Sequence, residues 1–396
     1  MPRPLLDVVQ ISFFNDPTGR LPEELLQAWP SLVDVADAAS RSGIRVSVVQ
    51  ASSHLEHLQR NAVHYYFMPF DGARAASGRN GALGELLRTL APDVCHVHGL
   101  GCHQDVLALA TMAPGVPIVL QDHADQAPRF WRRGEWRRGM SVAAGITFCA
   151  LEQAQPFVSA GLVHPKTELY AIPESTSRFT PGHQEEARRA TNLRGDPAVL
   201  WVGNLDANKD PLTVLCGISD AARVLPGLQL YCCFAAAPLL REVEERVATD
   251  PLLRERVRLL GRVTHERIEE LMRAADIFVL GSHKEGSGFS LIEALACGLP
   301  PVVTDIPSFR SLTGAGAVGM LWPCDDPRAL SSALQSVARR AGPQMRSAVR
   351  EHFERELSFD ALGLKLATMY QDLVERKHCK VAPASRSKQN GTLHAS

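Results

Sequence analysis

Short apolar runs alternate with longer mixed segments along most of the chain. The strand-like runs of the first half are Leu6–Phe13, Ile44–Gln50, Tyr65–Met68, Val94–Val97, Pro117–Leu120, Gly145–Cys149 and Glu168–Ile172. Helix-like stretches such as Gly81–Leu90 and Leu151–Ala160 lie between some of them. Continuous apolar strands separated by helices are typical of parallel βαβ units whose sheet is covered on both faces. The pattern therefore predicts an α/β fold.

The segment from Pro173 to Pro197 differs, because Ser, Thr, Pro, Gly and charged residues replace the apolar runs. We interpret it as an interdomain connection. Beyond it the alternation resumes, with strand-like runs at Val199–Val202, Leu228–Phe234, Val257–Leu259, Ile277–Leu280 and Pro301–Thr304. The sequence thus predicts two doubly wound domains that face a cleft, where ligands gather at the carboxyl ends of the strands.

Several helix starts are marked by a capping side chain. Asp210-Pro211 and Asp326-Pro327 place a cap before a proline, and Ser358 precedes a closing helix at Phe359–Val374. The predicted organisation is a first domain at 1–175, a second at 176–356, a closing helix at about 357–376 that packs back on the first domain, and a disordered polar tail at 377–396.

Composition narrows the class of protein. With 396 residues, two domains are the natural expectation. The 42 basic and 43 acidic residues give a net charge of -1, which offers no electrostatic footprint for nucleic acid. No run approaches the ~18 apolar residues of a membrane span. The nine scattered cysteines and the absence of a signal-peptide pattern over Met1–Phe14 lead us to expect a cytoplasmic location.

The segment from Ser282 to Pro300 carries the most chemistry. A strand ending at Leu280 enters a loop with Gly286 and Gly288, which opens a helix near Ser290. Glycines let a backbone approach an anion closely, and free N–H groups at a helix start attract negative charge. Two carboxylates, Glu285 and Glu293, bracket this predicted phosphate cradle. A structural role is also open for Glu293, since Ser290-Leu-Ile-Glu293 has the form of a capping box.

Residues Glu285–Glu293, followed by Ala-Leu-Ala-Cys-Gly-Leu-Pro-Pro-Val-Val-Thr-Asp, resemble the signature of retaining glycosyltransferases of family 4, also called glycosyl transferases group 1. The resemblance covers most of 198–335 and includes Gly261-Arg-Val, Ala275-Asp-Ile-Phe-Val and the stretch Val202–Pro211. In the first half it rests on the order of elements and on Gln121-Asp-His-Ala124. It implies the GT-B fold, with two Rossmann-like domains facing an interdomain cleft, an N-terminal acceptor domain and a C-terminal nucleotide-sugar domain.

The resemblance also implies roles for individual residues. Glu293 would accept hydrogen bonds from the two ribose hydroxyls, and Glu285 would face the donor sugar. A carboxylate matches a vicinal diol, and a backbone nest matches a pyrophosphate. The nest would be formed by the N–H groups of Gly286, Ser287, Gly288 and Phe289. Nucleobase contacts would involve backbone atoms near Arg262.

Two further side chains have both a functional and an ordinary interpretation. Lys209 lies just before the Asp210-Pro211 helix start, where a cation can neutralise charge on a departing diphosphate. His123 follows the strand Pro117–Leu120 at the cleft, and the resemblance implies a histidine near this point, close to the donor sugar. Each could instead be a solvated loop residue, which is the commoner state of an isolated lysine or histidine.

One position departs from the family pattern. The residue after Gly203 is usually arginine, but this chain has Asn204. An amide donates a hydrogen bond without charge, so it stabilises the leaving group less. The loss of one such contact lowers the rate of transfer by about 10²-fold. Lys284 or Arg262 could compensate. A weakened or non-catalytic nucleotide-sugar-binding protein therefore remains an alternative, as does a sugar-nucleotide epimerase or phosphorylase on the same fold.

The predicted function is a metal-independent, retaining transfer of a sugar from a UDP- or GDP-linked donor to a glycan, lipid or small molecule, without a further cofactor. Alternate strand residues point to opposite faces, so Cys95, His96, His98, Cys102 and His103 are not expected to bind zinc together. Arg129–Arg138 interleaves arginines with Phe130, Trp131 and Trp136, with Gly134 interrupting the helix. It suits peripheral contact with an anionic membrane, binding of a charged acceptor, or an ordinary face of solvated arginines over packed tryptophans.

Overall fold

The computed structural model describes residues 5–70 and 81–381. The first domain is built on a sheet of order β3-β4-β2-β1-β5-β6-β7-β8. Its strands are β1 (Asp7–Ser12), β2 (Arg45–Ala51), β3 (Glu56–Arg60), β4 (Val63–Met68), β5 (Val94–His98), β6 (Ile118–Gln121), β7 (Gly145–Phe148) and β8 (Glu168–Ala171). All neighbours pair in parallel except β3, which runs antiparallel to β4 at the edge.

Helices cover both faces of this sheet, as continuous apolar strands require. They are α1 (Pro22–Ala28), α2 (Pro30–Arg41), α3 (Ala82–Leu90), α4 (His103–Met112), α5 (Arg133–Met140) and α6 (Gln155–Ser159). Short 3₁₀ turns at Phe130–Arg132 and Leu151–Ala154 precede α5 and α6. Alternate strand residues feed two separate cores, one with Val46 and Val48 and the other with Ile11 and Val97.

The second domain has a fully parallel sheet of order β11-β10-β9-β12-β13-β14. Its strands are β9 (Ala198–Val202), β10 (Gln229–Cys233), β11 (Val257–Gly261), β12 (Ile277–Leu280), β13 (Pro301–Thr304) and β14 (Met320–Trp322). The remaining helices are α7 (Gln184–Thr191), α8 (Pro211–Ala222), α9 (Leu240–Thr249), α10 (Pro251–Arg256), α11 (His265–Ala274), α12 (Phe289–Ala296), α13 (Pro307–Leu312), α14 (Pro327–Ala338), α15 (Pro343–Glu356) and α16 (Phe359–Val381).

The last helix, α16, returns from the second domain and packs against α2 of the first. Leu362, Leu366 and Tyr370 are buried in the first domain's core. A Cβ atom added at Gly363 would lie 2.1 Å from the carbonyl oxygen of Ala38, so a glycine is needed where these helices cross. The helix runs to Val381, so residues 377–381 are helical rather than part of the predicted tail. Residues 382–396 lie outside the described part of the chain.

The predicted α/β class and the parallel order of the strands are confirmed. The predicted caps also hold, since Asp210 and Asp326 accept the N–H groups of Thr213 and Ala329, and Ser358 accepts that of Ala361. The pattern missed the edge strand β3, whose residues are mostly polar, and β14, which is only three residues long. It also missed α7 inside the connection, because the helix buries none of its residues. Within the described residues no helix has the length and apolarity of a membrane span.

Candidate functional site

A cavity of about 560 Å³ lies between the two domains. It opens where β6 and β12 end, so the carboxyl edges of both sheets face it, as doubly wound folds require. Residues of both domains line it. They include Asp122, Asp125 and Gln153 from the first domain, and His283, Lys284 and Glu285 from the second.

The glycine-rich loop leads from β12 into α12. Helix α12 begins at Phe289, and Gly288 caps it with a φ of 73°, a conformation that side chains disfavour. A Cβ atom at Gly288 would also lie 2.6 Å from a ring carbon of Phe309. Within the described residues, the N–H groups of Gly288, Phe289 and Ser290 donate to no protein acceptor. They form a seat for an anion at the helix start.

Glu293 lies one turn into the same helix and does not form the capping box considered from the sequence. The helix starts one residue before Ser290, which leaves Ser290 inside its first turn and the Glu293 carboxylate free of a capping role. Instead, Glu293 Oε1 lies 2.6 Å from His265 Nε2 at the start of α11. This hydrogen bond, with the charge of Glu293, raises the pKa of His265.

Lys209 and Glu285 form an ion pair beside the glycine-rich loop. Both side chains are largely buried, with exposed fractions of 18% and 13%. Asn208 holds the two loops together, because its amide bonds both the N–H and the carbonyl oxygen of Lys284. The structure therefore places the predicted cation directly on the predicted sugar-facing carboxylate.

His123, in the first domain, is linked to the glycine-rich loop through Glu174, which contacts both. Its Nδ1 lies 2.6 Å from Glu174 Oε2, and its Nε2 lies 3.1 Å from His98 Nδ1. Burial lowers the pKa of His123, but the hydrogen bond and charge of Glu174, with the charges of Asp125 and Asp122, outweigh it and raise the net value. His98 has no such carboxylate, and burial leaves its pKa well below the usual range. His123 is thus the more readily protonated member of the pair.

Asp122 is a buried acid at the cavity wall. Its Oδ1 accepts the N–H of Asp125, and its side chain lies near Asp125 and Glu174. Burial raises its pKa to about 7, and the neighbouring carboxylate of Asp125 adds to this effect. An acid with such a pKa can hold or release a proton near neutrality, which is a property of groups at functional sites.

The two predicted positions after β9 have structural contacts. Gly203 donates its N–H to the carbonyl oxygen of Cys233 and accepts from the indole of Trp201. Asn204 Oδ1 accepts the N–H of Ala236 at 3.0 Å, so the amide supports the turn after β10. Arg262 follows β11 and its side chain is exposed.

The structure thus gathers most of the predicted site residues around one loop. Ser287 and Gly286 are buried, and Phe289 is exposed on 44% of its surface. Sequence reasoning missed Glu174, His265 and Gln153, which contact the site from a distance in sequence. Glu174 follows Pro173 in a segment interpreted only as a connection, and its burial as an acidic residue could not be read from the local pattern.

Among the described residues, Asp210, His283 and Asp325 form the group whose side chains could hold a metal ion. Their ligand atoms lie within 4.8 Å of one another, and Asp325 is exposed. His283 Nε2 lies 3.3 Å from Asp210 Oδ2. The imidazole and carboxylates therefore also satisfy one another by direct contact. Cys95 packs in one core of the first domain, whereas His96 and His98 stack on each other at the opposite face of β5. This is the alternation from which we expected that these residues do not bind zinc together.

The arginine-rich surface at Arg129–Arg138 lies in the chain directly after the cavity-lining residues Asp125–Ala127. Phe130 and Trp131 are exposed on 74% and 61% of their surfaces. The centroids of their two rings lie 5.0 Å apart. Trp136 is buried, so it belongs to the core rather than to this surface. Gly134 lies inside α5, so the predicted interruption of the helix is wrong.

Comparisons with known proteins agree with this arrangement. Residues 183–352 match the family described as glycosyl transferases group 1, and residues 30–152 match glycosyltransferase family 4. The structure superposes on a glycosyltransferase from Rickettsia africae with a TM-score of 0.69 at 13% identity, covering 94% of this chain and 99% of that one. The chain belongs to the family 4 glycosyltransferases and has their GT-B fold.

Relatives with assigned names share part of the chain. It is 30% identical over 254 residues to a D-inositol 3-phosphate glycosyltransferase from Geodermatophilus obscurus, covering 61% of this chain and 54% of that protein. It is 25% identical over 257 residues to a GDP-mannose:cellobiosyl-diphosphopolyprenol alpha-mannosyltransferase from Xanthomonas oryzae, covering 63% and 65%. The chain thus aligns with about half to two thirds of these relatives.

Proposed function

We propose that the protein transfers a sugar from a UDP- or GDP-linked donor to an acceptor that enters from the first domain, with retention of configuration. The observation that carries the proposal is the start of α12, where three N–H groups have no acceptor among the described residues and lie in the chain between Glu285 and Glu293. A diphosphate suits these N–H groups, a ribose diol suits Glu293, and a donor sugar suits Glu285.

The electrostatics of the loops support transfer rather than binding alone. Charge builds on the leaving diphosphate in the transition state, and a fixed cation nearby stabilises it. Lys209 is held in place by Glu285, so no reorganisation is needed when the bond breaks. We propose that neither a metal ion nor an organic cofactor takes part, because the helix start and Lys209 together supply the positive potential.

The acceptor side is formed by the first domain. Asp122 lines the cavity on the side where an acceptor hydroxyl would approach the donor sugar, and His123 is its neighbour in the chain. The name of the Xanthomonas relative includes a lipid-linked acceptor. We propose that the acceptor has a lipid or glycan portion. We also propose that this protein is cytoplasmic and that its surface Arg129–Arg138 contacts an anionic membrane through Phe130 and Trp131.

Thermal unfolding with UDP, GDP, ADP and dTDP, without added metal, tests the donor site. A ligand at ~100 times its dissociation constant stabilises a protein by about 2.7 kcal/mol. We expect UDP or GDP to raise the melting temperature and Glu293→Ala to abolish the shift. As a control, Glu185→Ala removes an exposed carboxylate on α7 and should leave the shift intact. If no nucleotide stabilises the wild-type protein, the proposed donor site is wrong.

A non-catalytic nucleotide-sugar-binding protein is a second candidate, favoured by Asn204 in place of arginine. It shares the binding result above but predicts no turnover. Hydrolysis of UDP-glucose or GDP-mannose by the purified protein separates the two, because hydrolysis needs no acceptor. Turnover above the uncatalysed rate supports the transferase, and its loss in Lys209→Ala excludes a contaminating enzyme.

A further inference from the structure

Glu174 joins the two domains through one buried carboxylate. It lies in the connection between β8 and α7, and only 8% of its side chain is exposed. Its Oε1 accepts the N–H of Ser287 at 2.8 Å, and its Oε2 lies 2.6 Å from His123 Nδ1. Its own N–H donates to Ser287 Oγ at 3.0 Å. The carboxylate thus contacts the glycine-rich loop of one domain and the imidazole of the other.

The loop is shaped to accept this carboxylate. A Cβ atom at Gly286 would lie 2.5 Å from Glu174 Oε1, so any larger residue there would displace it. From the first domain, Gln153 Nε2 donates to the carbonyl oxygens of Glu285 and Gly286 at 2.8 and 3.0 Å. These contacts hold residues 285–287 against the first domain. They make Glu174 and Gln153 a clamp on the predicted phosphate cradle.

The charge of Glu174 has consequences for a donor. A ligand group that binds the N–H of Ser287 must displace the carboxylate, and a diphosphate on the adjacent N–H groups is repelled by it. The same carboxylate orients His123, because its hydrogen bond with Nδ1 holds the ring and leaves Nε2 facing His98. Glu174 therefore lowers the affinity for a donor diphosphate while it holds His123 in the orientation that we expect catalysis to need.

We propose that Glu174 is a positioning residue of this transferase, whose negative charge at the Ser287 N–H opposes the donor diphosphate and whose hydrogen bond orients His123 for the transfer step. This inference rests on the proposed function, since it takes the cradle to be the donor site. It predicts a split between binding and turnover. Removing the charge should improve binding of a nucleoside diphosphate and impair catalysis.

Glu174→Gln is the informative change, because it keeps the size and a hydrogen-bonding oxygen but removes the charge. We expect UDP or GDP, whichever stabilises the wild-type protein, to bind about tenfold more tightly, as expected when one repulsive charge near a partly buried anion is lost. The kcat of donor hydrolysis should fall about tenfold or more. Glu185→Gln removes an exposed carboxylate from α7 in the same connection, and should change neither quantity.

Two further variants separate positioning from a general structural role. Glu174→Asp keeps the charge on a shorter side chain, so kcat should fall without the gain in nucleotide affinity. In a His123→Ala background, Glu174→Gln should cause little further loss of kcat, because residues that act through one another are not additive. Circular dichroism and the melting temperature confirm that each variant is folded before its kinetics are compared.

The outcomes distinguish this inference from the proposed function. Tighter nucleotide binding with lower kcat in Glu174→Gln supports it. If Glu174→Gln binds nucleotide as tightly as the wild type or more weakly, the proposed repulsion of the donor is wrong. If the losses of kcat in Glu174→Gln and His123→Ala add up in the double variant, the positioning role is wrong. If neither protein binds any nucleotide, the proposed function fails and this inference fails with it.

Discussion

Lys209 and Glu285 contact each other across two loops that follow the neighbouring strands β9 and β12. The pair lies at the switch point of the second sheet, since β9 and β12 are its central strands and the chain leaves them in opposite directions. A buried ion pair is weak evidence for stability, because desolvation offsets the attraction. Its position in the loop that leads to three N–H groups without an acceptor among the described residues instead favours a role in binding or catalysis.

The first prediction concerns this pair. Lys209→Ala removes the fixed cation, and we expect kcat for donor hydrolysis to fall by about 10², the typical effect of losing one electrostatic group in an active site. The variant also leaves Glu285 partly buried without its partner, so unfolding free energy should fall by about 1–3 kcal/mol. Activity must therefore be measured well below the melting temperature of the variant.

Lys166→Ala is the matched control, since Lys166 is exposed and lies on the opposite side of the first domain near Glu168 and Arg376. It should retain both activity and stability. Wild-type turnover in Lys209→Ala, once the protein is shown to be folded, would contradict a role for this cation in leaving-group stabilisation.

The second prediction concerns pH and Asp122. Its pKa is about 7 in the folded protein, against 3.8 for the ordinary group, so the folded state binds more protons between these values. Stability from this group is therefore largest at low pH and falls as pH rises from about 4 to about 7. Asp122→Asn removes this titration, and the difference in unfolding free energy between variant and wild type should grow in the variant's favour over that range.

Urea unfolding at several pH values measures this difference directly, and it cancels the titration of all other groups to a first approximation. Asp220→Asn is the control, because it removes a half-exposed carboxylate on α8 that lies outside the cavity. A flat difference for Asp122→Asn would contradict the raised pKa.

The local pattern predicted the strands and the glycine-rich loop because each is defined by neighbouring residues. Apolar runs identify buried strands, and Gly286 and Gly288 identify a close approach of backbone. The contacts that organise the site were not predictable in this way. Glu174 and Ser287 are 113 positions apart, and Glu293 and His265 are 28 apart.

The capping interpretation of Glu293 failed for a related reason. The sequence of Ser290 to Glu293 fits a capping box, but the position of a cap depends on where the backbone enters the helix. Gly288 adopts a positive φ and starts the helix at Phe289, so the capping site falls before Ser290. Because Gly288 sets the start of the helix, the carboxylate of Glu293 is not needed for capping and contacts His265 instead.

The third prediction concerns the surface Arg129–Arg138. Replacing both Phe130 and Trp131 by serine removes the two exposed rings and should reduce co-sedimentation with vesicles that contain phosphatidylglycerol. Vesicles of phosphatidylcholine alone should bind weakly in either case, because the arginines require anionic lipid. Leu364→Ser, which replaces an exposed apolar residue on α16, is the control and should bind like wild type. Equal sedimentation of all proteins would contradict membrane contact through this surface.

The last prediction concerns Asn204, where the family usually has arginine. Its side-chain oxygen accepts the N–H of Ala236, so substitution breaks one hydrogen bond and should cost about 1 kcal/mol of stability. In exchange, Asn204→Arg adds a guanidinium after β9, on the same side of the sheet as Lys209. If the wild-type enzyme is limited by leaving-group charge, donor hydrolysis should rise, by up to about 10²-fold.

Asn204→Met is the matched variant, because it loses the same hydrogen bond and adds a long side chain without charge. It should lose stability like Asn204→Arg but gain no activity. A rise in Asn204→Arg alone identifies charge as the missing element of a weakened transferase. Equal turnover in all three proteins would show instead that Lys209 and the start of α12 already stabilise the leaving diphosphate, so that the arginine of other members is dispensable here.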